Sequence, residues 1–110
     1  MRQLANKEKE LLEKLGAKAT INSGATFGDA DGKILLKKPI GFYQYEKLAI
    51  EVKATEKKSY SIKLDTFKKL AKEAQQINAM PILGLDISGK QFIILQLNDF
   101  QDLLEWMQNG

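Results

Sequence analysis

Residues 47–54, Lys-Leu-Ala-Ile-Glu-Val-Lys-Ala, give the strongest strand signal in the chain. Side chains alternate between two faces of a strand, so one face here is apolar and the other carries Glu51 and Lys53. These two charged side chains lie about 6.6 Å apart along the strand axis. Charges on an interior strand cost desolvation free energy unless other groups compensate them. Taken alone, the pattern favours a solvated ion pair on an edge strand.

Apolar periodicity predicts three helices around this strand. The first covers residues 3–15 and stops at Gly16, the second runs from a capping Asp65 to Asn78, and the third begins at a capping Asn98. Further short strands are predicted at residues 19–22, 33–37, 42–45, 81–86 and 91–97. We therefore expect one α/β domain over residues 1–110, a central mixed sheet flanked by helices in the order α-β-β-β-α-β-β-α.

The composition restricts the chemistry that the chain can perform. Apolar residues make up 44% and charged residues 28% of the 110 residues, as in ordinary globular domains. The sequence has no cysteine, which excludes disulfides, zinc–thiolate sites and thiol nucleophiles. It also has no histidine, the commonest general base and metal ligand. Any catalysis must use carboxylates, lysines, hydroxyls and a bound hard cation.

The charge distribution permits an acidic partner. There are 17 basic and 14 acidic residues, a formal net charge of +3, and Arg2 is the only arginine. With one arginine, bidentate reading of bases is nearly excluded, so sequence-specific duplex recognition is not expected. Six lysines follow the central strand: Lys57, Lys58, Lys63, Lys68, Lys69 and Lys72. A solvated helix face and sequence-independent phosphate binding explain them equally well.

Targeting signals are not apparent in the sequence. No apolar run approaches the roughly 20 residues that span a bilayer, and the N-terminus lacks a signal-peptide core. We therefore expect no membrane association and a cytoplasmic, intracellular location.

Three carboxylates and one lysine form a candidate catalytic set. Glu8 interrupts the apolar stripe of the first helix, Asp29 lies in a glycine-bounded turn, and Glu51 is followed by Lys53. Converging carboxylates repel one another unless a divalent cation holds them. Oxygen ligands alone select Mg²⁺ or Mn²⁺ over zinc. A lysine beside such a cluster can orient or help deprotonate a water and stabilise a phosphate, as phosphodiester hydrolysis requires.

Three groups of residues follow one another in the chain: Glu8, then Ser23-Gly24-Ala25 with Gly28-Asp29, then Glu51-Val52-Lys53-Ala54-Thr55. Their order resembles that of the PD-(D/E)XK nuclease superfamily. Within it, the layout is similar to the small Holliday-junction resolvases of archaea and some phages. The resemblance covers roughly residues 4–97, and it includes a helix and a Pro-led strand after the acid-x-lysine strand. It implies a restriction-endonuclease-like core and a Mg²⁺-dependent endonuclease, with Mn²⁺ as a substitute, that hydrolyses branched DNA.

The resemblance also implies roles for individual residues. Asp29 and Glu51 would bind the metal, the backbone carbonyl of Val52 would add a ligand, Glu8 would complete the acidic set, and Lys53 would be the catalytic lysine. Two-fold symmetric nicking of a four-way junction further implies a homodimer with two sites.

Some alternatives stay open. Asp31 is a rival to Asp29, although Gly28 favours the latter, and Glu10 is a rival to Glu8, although helical phase favours Glu8. Residues 34–45 resemble an insertion relative to the archaeal enzymes, and packing is favoured over base stacking for its aromatics, Phe42, Tyr43 and Tyr45. Other functions compatible with the sequence are a nicking, repair or restriction nuclease, a non-catalytic DNA-binding module of the same fold, and a small binding domain without a nucleic-acid role.

Overall fold

The computed structural model describes residues 2–19 and 30–109. Within these ranges the elements follow the order α-β-β-β-α-β-β-α, and their bounds are α1 Arg2–Lys14, β1 Lys18–Ala19, β2 Gly32–Ile40, β3 Tyr45–Thr55, α2 Leu64–Gln76, β4 Ala79–Ile87, β5 Lys90–Ile94 and α3 Leu97–Asn109. The five strands form one sheet in the order β1-β2-β3-β4-β5. The α/β class with a mixed sheet and three helices is confirmed.

The sheet is mixed because β3 and β4 are parallel, whereas the other neighbouring strands are antiparallel. The parallel pair requires a crossover, and α2 supplies it. β4 is buried along nearly its whole length, as expected for a strand with both faces covered. β3, the strand predicted from residues 47–54, lies between β2 and β4 and is therefore interior.

Helices cover both faces of the sheet. On one face Leu11 and Leu12 of α1 pack against Ile50, Val52 and Met80, and Leu103 of α3 joins the same cluster. On the other face α2 contributes Leu70 and Ala74, which pack with Ala49, Ala79 and Leu83. Alternate residues of β3 thus enter two separate apolar layers, which explains why its sequence is apolar on both sides at its centre.

The predicted strands are confirmed only in part: four were predicted before α2, whereas the described residues form three, and β5 ends at Ile94, three residues before the predicted end. β2 continues to Ile40, and residues 42–45 are not a separate strand, since residues 41–44 form a turn. Pro39 lies between the strands predicted at residues 33–37 and 42–45, but in the structure it falls inside β2, whose pairing with β3 is irregular between Leu35 and Ile40. A proline is tolerated where a ladder hydrogen bond is not required. Of the strand predicted at residues 19–22, only Ala19 falls within the described residues.

The two predicted capping residues are wrong. The N-cap of α2 is Lys63, which makes no side-chain cap hydrogen bond, and Asp65 lies in the first turn. Its negative charge is still favourable there because it faces the positive end of the helix dipole. Asn98 likewise lies inside α3, which begins one residue earlier. Among the described helices, none has the length and apolar character needed to cross a membrane.

Candidate active site

The candidate site lies where β3 extends beyond β2. Pairing between these strands ends at Gly32 and Ile50, whereas β3 continues along β4 as far as Thr55. From Val52 onward, the edge of β3 that faced β2 has no strand partner among the described residues. Backbone polar groups in such a position need other hydrogen-bond partners. Side chains that approach this edge can therefore be held by the peptide groups of β3.

Two carboxylates occupy that edge. The N–H of Val52 donates a hydrogen bond of 2.9 Å to Oδ2 of Asp31, which directly precedes β2. The N–H of Ala54 donates to the carboxylate of Glu8, which comes from α1. Because the N–H and C=O of one strand residue point to the same edge, the carbonyl of Val52 also points to the side of Asp31. The strand edge thus collects two acidic side chains and one carbonyl oxygen.

Glu51 and Lys53 form an ion pair on β3 itself. The distance from Nζ of Lys53 to Oε2 of Glu51 is 3.0 Å, and both side chains are partly exposed. Burial lowers the pKa of Lys53, but the hydrogen bond and the charge of Glu51, together with the charges of Tyr60 and Asp31, outweigh burial, so the pKa is raised overall. Lys53 is therefore an ammonium ion at neutral pH. It can act as a charge and a hydrogen-bond donor rather than as a free amine base.

Glu8 connects the helix to the same electrostatic cluster. Burial raises the pKa of its carboxyl first, and the negative charge of Asp31 raises it further. The charge of Lys53 and the N–H of Ala54 oppose this shift without cancelling it. Burial is therefore the largest cause of the raised pKa, and the negative charges of Asp31 and Glu51 add to it. A bound cation would offset those added charges.

The predicted site residues can now be placed. The structure brings together Glu8, Glu51 and Lys53 with the backbone of Val52, as their pattern suggested. Asp29 lies outside the described residues. Asp31, the alternative aspartate, is the one that contacts β3.

One sequence signal and the sheet register bear on these placements. Glu10 is exposed, whereas Glu8 on the apolar stripe contacts β3, as helical phase indicated. The signal that favours Asp31 is its place directly before Gly32, whose partner across the sheet is Ile50. This register sets Asp31 beside Glu51. The register could be read only from the structure.

The donor set fits a hard divalent cation. Within residues 2–19 and 30–109, no group of three acidic side chains is arranged so that it could hold a metal ion. Mg²⁺ rarely uses such cages, since one or two carboxylates, waters and substrate phosphates usually complete its coordination. Asp31, Glu51 and the carbonyl of Val52 offer oxygen donors only, which is the chemistry that Mg²⁺ prefers.

The six candidate DNA-binding lysines are all exposed. Lys57 and Lys58 follow the end of β3, and Lys63 is the N-cap of α2. The other three, Lys68, Lys69 and Lys72, lie on the outer face of α2. The group therefore begins beside the carboxylate cluster and continues along one helix.

No family model matches the chain, and neither the curated proteins nor the solved structures contain a match to it. The residues and their geometry therefore carry the functional argument.

Proposed function

We propose that the protein is a Mg²⁺-dependent, structure-specific DNA endonuclease of the PD-(D/E)XK type, and specifically a Holliday-junction resolvase. One observation carries the proposal: Glu8, Asp31, Glu51 and Lys53 meet at the open edge of β3. These residues come from a helix, a loop and a strand that are far apart in the sequence. Chance solvation of surface charges does not explain why two carboxylates are held by backbone N–H groups beside an ion pair.

The fold supports a restriction-endonuclease-like core. The acid-x-lysine strand is interior, and a helix and a parallel, Pro-containing strand follow it. The resemblance seen in the sequence implies this order. In the proposal, Asp31 takes the metal-binding role that the sequence pattern favoured for Asp29, because Asp31 is the aspartate that the described residues place at β3.

Asp31, Glu51 and the carbonyl of Val52 would hold Mg²⁺, or Mn²⁺ as a substitute, with Glu8 next to them. When bound, the metal would lower the pKa of water and stabilise negative charge on a phosphate. The negative charges of Asp31 and Glu51, which add to the effect of burial on the pKa of Glu8, support a cation at this position. Oxygen-only donors match its preference.

The protein's own side chains would orient the reacting groups. Lys53, kept protonated and positioned by Glu51, donates hydrogen bonds to a phosphate oxygen and offsets charge that develops during hydrolysis. Water adds to phosphorus and releases one proton, the phosphorus–oxygen ester bond breaks, and the departing oxygen takes up one proton to become a hydroxyl. The hydrogen bond from the N–H of Ala54 fixes Glu8 relative to Lys53.

The lysines of α2 support DNA as the substrate. Lys68, Lys69 and Lys72 offer compact charges that bind phosphates without reading sequence. Paired, symmetric nicks at a four-way junction need two sites, so the proposal includes a homodimer with one site in each protomer. A monomeric mass in sedimentation during full junction cleavage would contradict the dimer.

Cleavage of three labelled substrates tests the function: a synthetic four-way junction, a matched duplex and a single strand, each with Mg²⁺ and with EDTA. The proposal predicts paired nicks in the junction alone and only with Mg²⁺. Cleavage of all three substrates would keep the nuclease and exclude the resolvase. A folded protein that binds DNA and cleaves none of them would be a non-catalytic binding module.

A further inference from the structure

Two large aromatic side chains project into solvent from the turn between β2 and β3. Phe42 is 86% exposed and Tyr43 is 66% exposed, although packing was the expectation from the sequence. Their rings meet edge to face with centroids 5.4 Å apart, and Tyr45 lies 5.8 Å beyond Tyr43. Exposing such surface is unfavourable unless a ligand covers it. The aromatic turn, residues 41–44, is therefore a candidate binding element.

The turn is held in one conformation. The N–H and the side-chain amide of Gln44 both donate to the carbonyl of Gly41, at 3.0 and 2.8 Å. Asn78, at the end of α2, donates from Nδ2 to the carbonyl of Gln44 at 3.0 Å. Gly41 has φ of 79°, and a Cβ there would lie 2.6 Å from Asp102. A turn fixed in this way loses little conformational entropy when its aromatic rings bind a ligand.

Tyr43 also forms one wall of a cleft of about 280 Å³. The other walls include Tyr45, Ala71 and Gln75 of α2, and Asn78, and none of the lining residues is charged. The size is at the small end of ligand pockets, which begin at roughly 300 Å³. Aromatic faces stack on flat rings, and the amide side chains both donate and accept hydrogen bonds. The cleft therefore suits a neutral, planar, polar-edged group such as a nucleobase.

The cleft and the carboxylate cluster lie at opposite ends of α2. β3 ends at Thr55, and a connection of eight residues leads to Leu64, the first residue of this 13-residue helix. Gln75, in the last turn of the helix, reaches the cleft. Between them the outer face exposes Lys68, Lys69 and Lys72. The helix is about 20 Å long, which matches the distance along β3 from Glu51 to Tyr45 of about 20 Å. About six base-pair steps of DNA cover the same distance, at 3.4 Å for each step.

We infer that the aromatic turn and its cleft bind an unstacked nucleobase of DNA, about six base pairs from the phosphate held at Lys53. The lysines of α2 bind the phosphates in between, and Tyr43 and Phe42 stack on the base that a branch or bulge leaves unpaired. This inference rests on the proposed function in taking DNA as the ligand. It adds the feature of DNA shape that the protein recognises.

Fluorescence of 2-aminopurine tests the inference, because stacking on an aromatic ring quenches it. Two DNAs serve as probes, a four-way junction and a bulged duplex, each with one unpaired 2-aminopurine. The full chain binds them in EDTA, so that cleavage does not interfere. Wild-type protein is expected to quench the probe. Phe42→Ala with Tyr43→Ala should abolish quenching and weaken binding between about 5-fold and 150-fold, the range for loss of one stacked base.

Matched variants separate stacking from other effects. Tyr43→Phe keeps the ring and should quench like wild type, and Leu35→Ala, at a side chain that is 75% exposed on β2, should change nothing. The slope of log affinity against log salt should stay unchanged in the aromatic double variant and fall in Lys69→Ala, since only the lysine binds phosphate. Thermal unfolding checks that each variant is folded.

Binding and cleavage can fail separately. If the folded double variant binds and quenches like wild type, the base-binding turn is refuted even where Mg²⁺-dependent cleavage is present. If wild type quenches and binds through Tyr43 but cleaves no DNA, the base-binding turn holds and the nuclease proposal is refuted.

Discussion

Asp31 accepts a structural hydrogen bond from β3 and has a proposed catalytic role, and two substitutions separate the two. Asp31→Ala removes the acceptor of the Val52 N–H, and Val52 is only 3% exposed. A buried donor without a partner costs about 1–3 kcal/mol, which lowers the melting temperature by roughly 5–20 °C in a domain near this size. Asp31→Asn keeps an oxygen acceptor at the same place. We expect its free energy of unfolding to stay within about 1 kcal/mol of wild type.

The same two variants should not differ in cleavage. Both remove a carboxylate from the proposed metal site, so both should lower Mg²⁺-dependent DNA cleavage by about 100-fold or more. Urea denaturation followed by circular dichroism gives the free energies, and single-turnover cleavage gives the rates. Asp29→Asn is the matched control and should cleave at close to the wild-type rate. Equal stability of Asp31→Ala and Asp31→Asn, or loss of cleavage in Asp29→Asn alone, would refute the reasoning.

Three further substitutions test the electrostatics of Glu8 and the packing of the fold. Glu8→Gln should stabilise the protein at pH 7. Burial and then neighbouring negative charge raise the pKa of the Glu8 carboxyl, so its ionisation costs stability as pH rises. Denaturation at several pH values should show that this gain disappears below about pH 4, where the carboxyl is protonated in the unfolded chain as well. Tyr45→Phe removes a 2.9 Å hydrogen bond to Asp99, which is 3% exposed, and should lower the free energy of unfolding by about 1–2 kcal/mol in urea. Gly84→Ala places a Cβ 3.1 Å from Leu11 and should lower the free energy of unfolding by about 1–3 kcal/mol. Thermal unfolding measures the change, and an unchanged melting temperature would show that α1 adjusts freely.

Much of the fold was predictable because local patterns agreed with tertiary contacts. The alternation in residues 47–54 predicted a strand, which the structure places in the interior of the sheet, and helical phase favoured Glu8, which is half-buried, over the exposed Glu10. Helix starts were less predictable, since a good capping residue such as Asp65 lies inside α2 instead of at its N-cap. Cap preferences are worth only about 1 kcal/mol, so packing of the helix decides where it begins.

The site itself required tertiary information. Gly28 favoured Asp29 in the sequence, but which aspartate approaches Glu51 depends on where β2 stops and β3 continues. Phe42 and Tyr43 were expected to pack because apolar side chains usually do. Their exposure follows from the positive φ of Gly41 and Gln44, at 79° and 53°, which turns the chain out of the sheet. Neither sheet register nor a turn conformation of this kind can be read from residue types alone.

Single-turnover cleavage of a labelled four-way junction by wild type, Glu51→Gln and Glu56→Gln tests the central claim most directly. Glu56 is an exposed acid just beyond the end of β3, so its substitution is the matched control for a change of one charge. The account predicts Mg²⁺-dependent cleavage by wild type and Glu56→Gln, and a rate at least about 100-fold lower for folded Glu51→Gln. Cleavage by Glu51→Gln at the wild-type rate would contradict a metal-dependent active site at this edge of β3.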